Sequence, residues 1–145
     1  DSICLRPTDA LWTKPALYSV FEHEEKKPGL ISPFLASAPA HPYLHYINMR
    51  IQRRVKADAL QVAWRSVGNQ FLKKAMAAKP PEDVVIFPSH YFIPQHKSGP
   101  RYDGDGPIYC DQLWGTTQDV YENPPDGTDV DSLRKEHIAR LEARI

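Results

Sequence analysis

Four groups of side chains have types and spacing that could do chemistry. His41 and His45 stand four apart, which lets two imidazoles on one helix face share a metal, but no Glu adjoins His41 and no third ligand follows. Asp103-Gly104-Asp105-Gly106 offers two carboxylates to a cation. Counted from Asp103, position 12 is Trp114 where a calcium loop needs a bidentate Glu, and turn chemistry accounts for Asp-Gly repeats equally well. Residues 50 to 79 carry eight basic side chains (Arg50, Arg53, Arg54, Lys56, Arg65, Lys73, Lys74, Lys79) against one acid, Asp58. That density reads as a surface for phosphates or anionic headgroups, or as the wet faces of two helices. Gly68-Asn69 allows a close backbone approach and sets an amide donor at a helix start, or is simply a helix entry. No G-x-S-x-G elbow, Walker A loop or G-x-G-x-x-G occurs, so a hydrolytic triad and the simplest nucleotide cradles lack support.

Several elements must position these groups. Ser2 to Leu5 reads as a strand end running into Arg6-Pro7, and Thr8 or Asp9 caps a short turn through Trp12. Residues 16 to 21 fit strand or helix, and Leu30 to Ala36 reads as a buried strand. A helix begins near Pro42, with proline in its first turn, and Leu44, Ile47, Ile51 and Val55 form its apolar face against a sheet. A second helix spans Gln70 to Ala78 with Phe71, Ala75 and Met76 on one face, ended by Lys79-Pro80-Pro81. Val84 to Phe87 is a strand, His90 to Pro94 a further extended piece, residues 97 to 107 a turn-rich loop, and Ile108 to Cys110 extended again. A partly amphipathic helix closes the chain over Asp131 to Ile145 through Leu133, Ile138, Leu141 and Ile145, with Thr128 to Asp131 spaced as a capping box.

Composition bounds the answer. The chain has 145 residues, 41% of them hydrophobic, with 18 Lys and Arg against 18 Asp and Glu, which suits a folded domain with its own core. Formal neutrality removes the simplest argument for nucleic acid as a partner, since no excess of cations exists to release counterions. Two cysteines, Cys4 and Cys110, are too few for a disulfide framework or a zinc site of their own and read as free thiols or one bridge. Fourteen prolines mark segment borders and predict short elements joined by shaped loops. No run approaches the roughly 18 apolar residues of a spanning helix, and the first residues lack a signal-peptide pattern.

An ordered set of short segments runs along most of the chain. Asp1 enters the apolar Ser2-Ile3-Cys4-Leu5 and the turn Arg6-Pro7, followed by Phe34-Leu35-Ala36, Ala38-Pro39-Ala40-His41-Pro42-Tyr43-Leu44 and Val67-Gly68-Asn69-Gln70-Phe71-Leu72. Ile86-Phe87-Pro88, Tyr91-Phe92-Ile93-Pro94 and Tyr109-Cys110-Asp111-Gln112-Leu113-Trp114-Gly115-Thr116-Thr117 complete it. Over residues 1 to 117 this series resembles the sugar-binding-region glycosyltransferases of family 32, among them fungal mannosyltransferases and bacterial capsule and lipopolysaccharide enzymes. In that family a Gly-Gly-x-Tyr-x-Asp-x-Asp segment leads into a Leu-Arg-Pro-like turn, so Asp1 would be the second carboxylate of the Asp-x-Asp pair. The family's Thr-Gly-Pro stands here as Val67-Gly68-Asn69, and its late His-x-Trp as Gln112-Leu113-Trp114. The first Asp of the pair and the nucleotide-binding elements before it are not in these residues.

The resemblance implies an α/β fold: the C-terminal part of a GT-A-type glycosyltransferase, with mixed short strands, packed helices and long loops. Residues 1 to 117 would belong to the catalytic domain, and 118 to 145 would be a linker with a C-terminal amphipathic helix. The implied reaction moves a sugar from a nucleotide-diphosphate donor to a glycan or lipid-linked acceptor with retention of configuration. Mn2+ or Mg2+, held partly by Asp1, would neutralise the leaving diphosphate. Gly68, Asn69, Gln112, Trp114, Thr116 and Thr117 would contact the nucleotide sugar, the segment around Trp114 closing over it, and Arg101, Tyr102, Asp103 and Asp105 the acceptor. A missing N-terminal half, in the same gene product or as a separate chain, would be needed for activity. The implied location is cytoplasmic, at the inner membrane surface with peripheral association, or alternatively the Golgi lumen, and no nucleic acid is expected. The alternative is a non-enzymatic module that binds a partner or membrane surface through the basic helices of residues 50 to 79 and the terminal helix.

Overall fold

A computed structural model describes residues 2–14, 16–32, 34–112, 114 and 129–143. Two compact units divide them, one comprising Leu11–Ser89 and the other the described residues of Asp1–Ala10 and His90–Ile145. The terminal boundary expected at residues 117 and 118 lies outside the described residues.

The Leu11–Ser89 unit is built on a three-stranded sheet. Its centre is β2 (Leu17–Val20), all four residues of which are buried, flanked by antiparallel β3 (Ala36–Ser37) and parallel β4 (Val84–Phe87). A parallel pair needs a long crossover, supplied here by α1 (Pro42–Lys56), α2 (Ala63–Ser66) and α3 (Asn69–Ala78). Residues 16 to 21 therefore resolve to strand. The expected continuous strand over Leu30 to Ala36 does not form: Ile31 makes an isolated bridge to Phe21, and regular pairing resumes only at Ala36. A proline at 33 has no N–H to give a ladder.

Helix α1 starts where the His41 ring accepts a hydrogen bond from the Tyr43 N–H through Nδ1 while Nε2 meets the Asp83 carboxylate at 3.0 Å. His41 is thus a buried helix cap, and His45 points to solvent. Tyr43 and Ile47 of α1 join Leu17, Ile31 and the α3 residues Phe71, Leu72, Ala75 and Met76 in one core, with Leu44 and Ile51 packed at its edge. Burying a side chain such as Phe71 contributes about 2 to 3 kcal/mol. Val55 does not complete the apolar stripe, being 54% exposed, so the last turn of α1 projects beyond the core. That helix closes with a Schellman motif, in which Ala59 N–H bonds the Arg54 carbonyl and Asp58 N–H the Val55 carbonyl, with Asp58 at φ 48°.

The other unit holds a two-stranded antiparallel ladder, β1 (Ser2–Cys4) with β5 (Cys110–Gln112), and the terminal helix α4 (Val130–Glu142). His90 is not the start of an extended piece but lies in a 3-10 turn over Ser89–Tyr91. Helix α4 is capped by the Asp129 carboxylate, which accepts from the Ser132 N–H and hydroxyl; the box expected from Thr128 begins outside the described residues. Ile138 is half-buried; the side chains of Leu133, Leu141 and Ile145 lie outside the described set.

Candidate functional site

Antiparallel pairing brings the first and last parts of the ordered segment series together. Ser2 stands opposite Gln112, Ile3 opposite Asp111 and Cys4 opposite Cys110. The Ser2 hydroxyl donates to Gln112 Oε1 at 3.0 Å, and Gln112 Nε2 donates to the Phe92 carbonyl at 3.2 Å, so both ends of the amide are oriented. Two residues on, the Trp114 indole N–H donates to the Gln95 carbonyl at 2.8 Å, and the buried His96 ring meets the indole edge-on with centroids 5.7 Å apart. Trp114 adopts φ 59°, a left-handed conformation costly for a bulky residue and found where surrounding structure enforces it.

Beside this ladder runs the turn-rich loop. Arg101 Nη1 donates to Asp111 Oδ2, and the other carboxylate oxygen of Asp111 accepts from the Gln112 N–H at 2.8 Å. Asp111 is 1% exposed, so its carboxylate depends on these protein partners rather than on water. Tyr102 stacks on His90 with centroids 4.0 Å apart, and its hydroxyl accepts from the Gly106 N–H at 3.1 Å. A Cβ on Gly104 would come within 2.5 Å of the Tyr102 hydroxyl, and one on Gly106 within 2.6 Å of His90 Nε2, so the loop winds tightly over that ring. Asp103 and Asp105 are exposed.

Gly68 and Asn69 lie in the other unit. Gly68 caps α3, and a Cβ there would stand 2.8 Å from the Trp64 Cα: the close approach its sequence context suggested is to the backbone of α2. Asn69 Nδ2 donates to the Glu22 carboxylate, 47 residues away. Asp1, Thr116 and Thr117 fall outside the described residues. The structure thus gathers Gln112, Trp114, Arg101 and Tyr102 in one unit and puts Gly68 and Asn69 in another. Sequence reasoning missed Ser2, Asp111, Glu22 and His96. Only Asp111 left a local signal, a carboxylate between Cys110 and Gln112 in an otherwise extended run.

Among the described residues no three His, Cys, Asp or Glu side chains stand together to hold a metal ion. The hard oxygens on hand at the β1–β5 end are the Ser2 hydroxyl and the Gln112 amide carbonyl, next in sequence and in register to the Asp1 end of β1. Oxygen donors of this kind suit Mn2+ or Mg2+; Asp1, the carboxylate that the resemblance implies as a ligand, lies outside the described residues. Burial and the neighbouring Cys4 push the Cys110 thiol up to about 11.

Mixed helices and short strands in small sheets make this an α/β protein. No protein-family model matches the chain, and no curated protein or solved structure is significantly similar to it.

Proposed function

We propose that this chain is the C-terminal portion of a GT-A-type glycosyltransferase, which transfers a sugar from a nucleotide-diphosphate donor to a glycan or lipid-linked acceptor. The observation that supports the reading best is the Ser2–Gln112 pair. A metal-dependent transferase of this kind needs its Asp-x-Asp carboxylate and its late closing segment at one place, and Ser2 adjoins Asp1 in sequence while Gln112 begins the Gln-Leu-Trp segment.

In this reading a bound Mn2+ or Mg2+ supplies charge neutralisation for the departing diphosphate. The protein's own residues do the rest by position. Phe92 and Ser2 hold the Gln112 amide in one orientation, Gln95 and His96 hold the Trp114 indole, and the buried Asp111–Arg101 pair stiffens the strand that carries them. An amide and indole held in this way keep their positions and exclude water from the reacting groups. The loop from Arg101 to Asp105 meets the acceptor.

The test is Mn2+-dependent hydrolysis of nucleotide sugars by the gene product that carries this chain, compared with Asp1→Ala. Loss of metal-dependent turnover in the variant supports the reading; turnover that ignores the substitution overturns the metal role. Favouring the non-enzymatic alternative is the cationic cavity at residues 54 to 74, and that reading predicts no turnover at all.

A further inference from the structure

Between the end of α1 and the middle of α3, the chain builds a cationic cavity and an apolar surface from alternate residues. A cavity of about 420 Å³ is lined by Arg54, Arg65 and Lys74 together with Gln61, Ser66 and Gln70, and no acid lines it. Arg54 is fixed in place: its guanidinium donates to the Ser66 carbonyl at 3.1 Å and lies over the buried Phe71 ring at 5.1 Å. Ser66 is buried and accepts from the Gln61 N–H at 2.7 Å, which ties the residue 59–61 loop against α2. Among the described residues no carboxylate pairs with Arg54, Arg65 or Lys74. Interleaved with these lining residues are Val55, Leu60, Val62, Trp64 and Val67, all among the most exposed large hydrophobic side chains of the protein, Val62 at 56% and Trp64 at 45%.

We propose that this segment is a peripheral membrane-docking surface, which seats the phosphate of an anionic lipid headgroup in the Arg54, Arg65 and Lys74 cavity while Val55, Leu60, Val62, Trp64 and Val67 enter the headgroup region. Charge complementarity selects the occupant. Three cations with no acid lining the cavity call for a phosphate, and the surrounding residues 50 to 79 hold eight basic side chains against one acid. A soluble phosphate compound would leave five exposed apolar side chains in water, whereas an anionic bilayer takes up both. Stable attachment to a membrane takes two signals, and shallow apolar insertion beside a polybasic patch supplies them. Indole rings favour the interface between headgroup and acyl chain, and Trp64, with Arg65 stacked on it at 5.0 Å, is built for that depth. No described helix is long and apolar enough to cross a membrane, so this contact is peripheral. The docking does not rest on sugar transfer, and either could fail without the other.

Co-sedimentation of the chain with phosphatidylcholine vesicles, with and without phosphatidylserine, tests it. Binding is expected only to the phosphatidylserine vesicles, to fall steeply with salt, and to weaken by roughly thirtyfold in Arg65→Gln/Lys74→Gln, two surface charges each contributing a factor of about five. Both side chains are exposed, so circular dichroism of this variant should match the parent. Vesicle addition should also shift the indole emission to the blue, and Trp64→Phe should remove that shift. Equal binding to neutral vesicles, no binding to either, an emission shift that survives Trp64→Phe, or capture by inorganic phosphate without capture by vesicles would each overturn the proposal.

Discussion

Ser2 and Gln112, 110 residues apart in sequence, share a hydrogen bond of 3.0 Å across the β1–β5 ladder. Strand pairing of this kind is the means by which a short N-terminal stretch and a late loop end up beside each other, and the amide that joins them is held from its other end by the Phe92 carbonyl. Gln112→Ala removes both bonds. It should cost roughly 1 to 2 kcal/mol in a urea melt. A melt indistinguishable from the parent would show that the amide orders nothing.

The Arg101–Asp111 pair in the same unit is one-sided: Asp111 is 1% exposed while the Arg101 side chain is 28% exposed. Removing the cation leaves a buried carboxylate without its charge partner, so Arg101→Met should destabilise by roughly 3 to 5 kcal/mol. Arg101→Met/Asp111→Leu should recover most of that loss in denaturant titration. A double variant no better than the single would mean the pair is not what holds the strand.

Alkaline pH should unfold the protein early. Burial raises the Cys110 thiol from an ordinary 9.0 to about 11 and the Tyr43 phenol from 10.0 to about 12. Both are raised acids, so the stability they lend is complete below the unfolded values and disappears as pH climbs from 9 through 12. The Tyr43 hydroxyl is also buried without a hydrogen-bond partner. Tyr43→Phe should therefore be neutral or stabilising by up to about 1 kcal/mol at neutral pH and should flatten the upper part of the alkaline loss. Thermal melts across this range decide it. A parent whose melting temperature stays flat from pH 9 to 12 contradicts the account, and so does alkylation that reaches Cys110 before the exposed Cys4.

At Asp58, the residue after the C-cap of α1, φ is 48°, where glycine carries no Cβ penalty. Asp58→Gly should stabilise by about 0.5 to 1 kcal/mol in equilibrium unfolding. Loss of stability would show that the carboxylate does something the backbone does not explain.

How much of this was legible in the sequence depends on range. Helices α1 and α3 and strand β4 follow from apolar spacing and flanking prolines, because burial of one face leaves a periodic trace. Leu30 to Ala36 looked like one strand, since an apolar run carries no mark of where pairing lapses, and His90 to Pro94 looked extended although its first residues turn. Val55 fits the helical stripe by spacing but lies past the end of the core it was assigned to. Among site residues, Gly68 was legible as a close-approach glycine, but not that the neighbour is Trp64. The bonds of Asn69 to Glu22 and of Ser2 to Gln112 span 47 and 110 residues, and nothing local foretells them.

We propose that the carboxylate preceding Ser2 works with Gln112 and Trp114 on a metal-bound nucleotide sugar. The most direct test is steady-state turnover of nucleotide sugars with Mn2+ in the gene product that carries this chain, set beside Asp1→Ala and Trp114→Phe. The account predicts that Asp1→Ala abolishes metal-dependent turnover and that Trp114→Phe, whose ring cannot donate to Gln95, lowers it roughly tenfold or more. Turnover equal to the parent in both variants would contradict it.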